Sequence, residues 1–151
     1  MKKSVKYLII ALIAVIFVSC GSEEKDSAID TPDITFTKEG ELFLMKNGEQ
    51  IKKIDIEVAS TPYEWETGLM YRESMEDDQG MLFIYTGESQ RNFYMKNTYI
   101  PLDIIFYDSD STVVSYYENA QPLDETSIPS EEPAKFILEV NAGKVQEWNV
   151  E

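Results

Sequence analysis

Apolar positions fall first into one unbroken block and then into short alternating runs. Tyr7 to Val18 form a 12-residue stretch without charge. Such a stretch is too short to cross roughly 30 Å of hydrocarbon comfortably, so it reads as the apolar core of a signal peptide, with Lys2, Lys3 and Lys6 as its basic flank. From Asp33 onward the pattern turns to strands. Glu41 to Met45 and the alternating run Ile51, Ile54, Ile56, Val58 flank Asn47-Gly48. An Asn-Gly pair between such runs predicts a hairpin, because a type I′ turn needs positive φ at both central residues. Lys52-Lys53 breaks the alternation and predicts a bulge.

Ser60 as cap, Pro62 in the first turn and the acidic Glu64 and Glu66 predict a helix over Pro62 to Tyr71, with a break at Gly68. Met81 to Tyr85 reads as a strand buried on both faces. Asn92 to Met95, Leu102 to Tyr107, Thr112 to Tyr117 and Lys135 to Val140 are further strands, and Asn141 caps a final helix to Trp148. Ala120 to Pro133 is a Pro- and acid-rich loop of functional length. The expected fold is mainly β: a compact single-domain β-sandwich or barrel-like fold of about seven strands with two short helices.

Charge and composition exclude whole classes of function. Among 151 residues there is no His, one Cys, 13 Lys plus Arg and 28 Asp plus Glu, a net charge of −15. Without His there is no Ser-His-Asp or Cys-His catalysis and no HExxH zinc site. The acidic balance argues against nucleic acid, which needs a basic footprint.

Phe17-Val18-Ser19-Cys20-Gly21 resembles the bacterial lipobox, although Phe17 stands where Leu is commoner. The resemblance implies lipidation of Cys20 and removal of residues 1–19, leaving a mature chain of net −18. A surface so charged is repelled by anionic headgroups, so the lipid would be the anchor. The expected organisation is a signal peptide over 1–19, an acidic tether over 20–32 and a β-rich domain over 33–151. The acidic run after Cys20 reads either as a solvated linker or as resembling the surface-export signals of Bacteroidetes-type lipoproteins. The expected address is the cell envelope, lipid-anchored in an outer membrane, facing the periplasm or the surface.

Several motifs occur in a telling order: Glu66-Thr67-Gly68-Leu69-Met70-Tyr71-Arg72, Gly80-Met81-Leu82-Phe83, Asn92-Phe93-Tyr94-Met95-Lys96-Asn97-Thr98, Ile100-Pro101-Leu102-Asp103-Ile104-Ile105-Phe106, and Phe136-Ile137-Leu138-Glu139-Val140-Asn141-Ala142-Gly143. Together they resemble the bacterial and archaeal family called domain of unknown function 192, from about Glu41 to Gly143. The resemblance implies a compact β-sandwich-type domain, often exported, with no established activity. Members of the family typically continue past the last helix into a closing strand, whereas this chain reads Trp148-Asn149-Val150-Glu151; the expectation is that either the closing strand is dispensable here or an edge is left for strand addition by a partner.

Asp103 and Glu139 lie within apolar strands, and a buried unpaired charge costs several kcal/mol. The expectation is that Arg72 or Lys96 pairs with Asp103, Glu66 or Glu139. The candidate ligand-binding residues are Glu66, Arg72, Lys96, Asn97, Asp103 and Glu139, with a polar patch at Arg72, Lys96, Asn97 and Asp103. That patch would receive an unknown ligand or an envelope protein without catalysis. The competing reading is a hydrolase using Asp103 or Glu139 with Glu66, and a structural ion-pair cluster is a third. Met70, Met75, Met81 and Met95 suit Cu(I) chemically, but Met is a common gap-filler and core packing is expected. Asp108-Ser109-Asp110 and Glu76-Asp77-Asp78 offer too few oxygens for Ca²⁺. No metal or cofactor is expected. Trp65, Tyr94, Tyr99, Tyr116 and Tyr117 could form an aromatic platform, or simply pack on half-buried strands.

Overall fold

Eight strands and two helices make up the computed structural model, which describes residues 34–150. The expected signal peptide, Cys20 and the expected acidic tether lie outside the described residues. In chain order the elements are β1 (Gly40–Lys46), β2 (Glu49–Ala59), α1 (Pro62–Thr67), β3 (Gln79–Ser89), β4 (Asn92–Phe93), β5 (Leu102–Tyr107), β6 (Val113–Ala120), β7 (Ile128–Pro129), β8 (Ala134–Asn141) and α2 (Lys144–Glu147).

The hairpin forms where Asn47 and Gly48 predict it, with φ of 53° and 81°. Its bulge falls beside the double lysine: Leu44 pairs with Lys52 and Met45 with Gln50, so the chain loops past Ile51. Helix α1 is shorter than expected and is capped by Thr61 rather than Ser60. The Glu64 carboxylate accepts the N–H groups of both Ser60 (2.8 Å) and Thr61 (2.9 Å), while the Thr61 hydroxyl accepts the Glu64 N–H, completing a capping box. Gly68, at φ 44°, ends the helix one turn early. Likewise α2 starts after Gly143. Asn141 instead closes β8, its side-chain amide donating to the carbonyl of Met75 at 2.7 Å.

Six strands form one curled sheet, a half-barrel in the order β1-β2-β3-β8-β5-β6, and β4 pairs with β7 in a small second sheet. All neighbours in the large sheet are antiparallel except β2 and β3. A parallel pair cannot be joined by a tight turn, and α1 supplies the required crossover. Strands β3 and β8 approach closely at Gly80, where a Cβ would lie 2.8 Å from the Glu139 carbonyl oxygen.

Both faces of the sheet are covered. On the first, Ala59, Met81, Phe83, Ile104, Phe106 and Ile137 pack beneath Leu69, Phe93, Met95 and Ile128. On the second, Ile54, Ile56, Ile105, Leu138 and Val140 pack against Val145, Trp148 and Val150. The long acidic loop is fastened over the first face by β7 and by the Met95 N–H donating to the Asp124 carbonyl at 2.8 Å. Met81 and Met95 are core residues and Met75 packs against the same core, as gap-fillers do. Among the described residues no helix is long and apolar enough to cross a membrane.

Candidate functional site

Three carboxylates are buried in the sheet, and each has a different environment. Asp103 is fully buried on the second face. Its Oδ1 accepts the Asn119 N–H and its Oδ2 the Val145 N–H, both at 2.8 Å. The side chain thereby ties the end of β6 and the first turn of α2 to β5, which is a structural use of a charge-assisted bond.

Glu57, on β2, faces the first side. Its Oε2 meets Arg72 at 2.5 Å and its Oε1 accepts the Thr37 N–H at 2.7 Å. Arg72 therefore pairs with a residue outside the expected set. The pairing register explains the correction. Glu57 stands beside Met81, and Met81 beside Glu139. Glu139 is thus two strands, about 10 Å, from Glu57, with the Met81 side chain between them. Asp103 is on the opposite face. The expected patch of Arg72, Lys96, Asn97 and Asp103 is therefore not a single surface. Lys96 is exposed. The Asn97 side-chain amide donates to the Tyr71 hydroxyl at 2.8 Å, and the Asn97 backbone carbonyl accepts the Tyr71 N–H at 2.7 Å, which braces two loops.

Glu139 has no such support. It is 6% exposed on the first face, and no hydrogen bond or ion pair among the described residues reaches its carboxyl. Burial alone pushes its pKa from 4.5 up to about 8, so the group holds its proton at neutral pH. It lies at a cleft of about 290 Å3 whose lining also includes Glu66, Trp65, Tyr85, Phe93 and Tyr94. Of the six candidate residues, the cleft brings together two, Glu66 and Glu139.

The cleft is shaped by local features of the sequence. Gly68 is required: a Cβ there would meet Phe83 Cζ at 2.9 Å and approach Glu139 Oε2 to 3.7 Å. One wall is a layered stack. Trp65 lies on Tyr85 with centroids 4.7 Å apart, and the Arg91 guanidinium sits 3.8 Å from the centre of the Tyr85 ring. The stack is fixed in place, since Trp65 Nε1 donates to the Ala59 and Ile84 carbonyls and Arg91 Nε to that of Ala134. Burial also raises the Tyr85 pKa. Of the expected aromatic platform, Trp65 and Tyr94 line the cleft. Tyr116 and Tyr117 are both exposed because β6 is an edge strand.

A larger hollow of about 420 Å3 lies on the second face, by Phe43, Met45, Tyr107 and Val113. It has no carboxyl among its lining residues. Among the described residues no group of three or more His, Cys, Asp or Glu could hold a metal ion.

Comparison with known proteins gives a family and a fold. Residues 43–151 match the family model described as "Uncharacterized ACR", domain of unknown function 192. A crystal structure of a provisionally assigned transcription regulator from Sinorhizobium meliloti is similar at 39% identity and a TM-score of 0.71, over 78% of this chain and 91% of that one. A protein of unknown function from Novosphingobium aromaticivorans is similar at 37% identity and a TM-score of 0.65, over 66% of this chain and 71% of that one. No protein of curated function matches the chain.

Proposed function

Because the chain belongs to the uncharacterized family of domain of unknown function 192, a membership that carries no activity with it, we propose a function from the site: a lipid-anchored cell-envelope domain that binds a small ligand in the Glu139 cleft. The anchor is the lipid on Cys20 and the membrane an outer membrane. The observation that carries the reading is Glu139 itself. A carboxyl this deeply buried, with no protein partner among the described residues, costs free energy to ionise. Here it stands at an open cleft with aromatic walls, where a ligand can satisfy it.

The test is thermal unfolding of the full chain with a panel of envelope sugars, amines and acidic metabolites. A ligand that binds only the native state stabilises it by about 2.7 kcal/mol at a hundredfold excess over Kd. The expected shift disappears in Glu139→Gln. A shift equal in both proteins would overturn the site. Anchoring is checked separately, by incorporation of labelled palmitate that is lost in Cys20→Ala.

One observation favours a second reading. Glu66 and Glu139 share the cleft, and a carboxyl held neutral near pH 7 beside an exposed carboxylate is the acid-base pairing of a hydrolase. Turnover of an envelope glycan, abolished in both Glu139→Gln and Glu66→Gln, would establish it over simple binding.

A further inference from the structure

Resting on the reading of the cleft as a ligand site, we infer that its ligand is a small organic cation, a primary ammonium or guanidinium group on a short apolar stem. The donor set decides the class. The lining residues include two carboxyls and neither Lys nor Arg. An anionic ligand would face both acids with no counter-charge. The nearby cations are already committed: Arg72 to Glu57, and Arg91 to the Tyr85 ring and the carbonyls of Gly87 and Ala134. What an ionised Glu139 would lack is a donor, and a cation supplies several at once. The rings of Trp65, Phe93 and Tyr94 in the lining suit an apolar stem, and aromatic faces attract positive charge. A chain of net −15 also raises the local concentration of cations.

The inference predicts a proton-linked event. The titratable groups that line the cleft together with Glu139 are Glu66 from α1, Tyr85 from β3 and Tyr94 beyond β4, while β5 presents Ile104 opposite it. None of these supplies a positive charge, so the carboxyl rests neutral. An arriving cation stabilises the carboxylate, and the Glu139 proton leaves to solvent. One cation in and one proton out keeps the charge of the site constant. Affinity therefore rises with pH, by roughly tenfold per unit until Glu139 is ionised in the free protein, and levels off above that.

The experiment is titration calorimetry of the full chain in non-ionic detergent, at pH 6, 7, 8 and 9 and in buffers of differing ionisation heat. The probes are butylammonium and butylguanidinium, with 1-butanol and a neutral N-acetylglucosamine oligomer as uncharged arms. The expected result is cation binding with release of about 0.9 proton at pH 7, as a carboxyl of pKa about 8 requires. Glu139→Gln, the isostere of the protonated form, keeps the fold, removes the proton release and weakens binding at least tenfold. Cation binding without proton release, or unchanged in Glu139→Gln, would overturn the inference and leave only attraction to an acidic surface. Binding of an uncharged arm alone, lost in Glu139→Gln, would also overturn the cation class while sustaining the cleft as a ligand site. Failure of every arm would remove both.

Discussion

Asp103 and Glu139 belong to neighbouring strands, and their registers differ by one residue: Ile104 stands opposite Glu139, and Asp103 opposite Val140. That single step sends the two acids to opposite faces of one sheet. Under α2, Asp103 receives two backbone N–H groups and becomes a fastening. Above the other face, Glu139 receives none and becomes a protonated group at a cleft. Glu57 is an intermediate case, equally buried but answered by a guanidinium. What separates a structural acid from a chemical one here is whether the covering segment brings donors with it. Both are buried, at 0% and 6% exposure.

The comparison can be broken from either side. The largest effect is expected at Glu139. Its folded pKa lies above its ordinary value, so its stability contribution is complete below about pH 4.5 and is lost as pH rises through about 8. Glu139→Gln should match the wild type at pH 4 and exceed it by up to about 5 kcal/mol at pH 9, in chemical denaturation across that range. Arg72→Ala should cost about 3–5 kcal/mol by leaving Glu57 buried and uncompensated, and the double variant Glu57→Gln/Arg72→Met should recover most of it. For Asp103→Asn the expected loss is about 2–3 kcal/mol, because one of the two backbone donors then faces an amide NH2. Hydrogen exchange should show that loss at Asn119 and Val145 first. Thr61→Ala, which removes only the α1 cap beside the cleft, should lower stability by about 1 kcal/mol.

Much of this was legible in the chain. Asn47-Gly48 marked the hairpin, the apolar runs marked the principal strands, and the two acids inside them were visibly in need of explanation. Glu66 and Glu139 were both among the candidates that meet in the cleft. The faces were not legible, because they depend on which strands pair, and β8 inserts between β3 and β5 from far along the sequence. Glu57 was missed because it reads as the polar half of an alternating strand. Alternation signals solvent only where one face is wet, and β2 is covered on both toward its C-terminal end, where Ile56, Glu57 and Ala59 are buried. The early end of α1 was signalled by Gly68, whose positive φ outweighs the apolar residues beyond it.

The place of β8 also bears on the order of assembly. Of the described strands, the one at the middle of the sheet comes last in chain order, so β3 and β5 each keep an unpaired edge until residues 134–141 are available. A nascent chain can close the β1–β2 hairpin early, but its central pairings must wait for contacts that span most of the domain. Such non-local closure slows folding toward the millisecond-to-second range and prolongs the time during which bare strand edges can meet another chain. Whatever escorts this polypeptide before it is complete has two edges to shield.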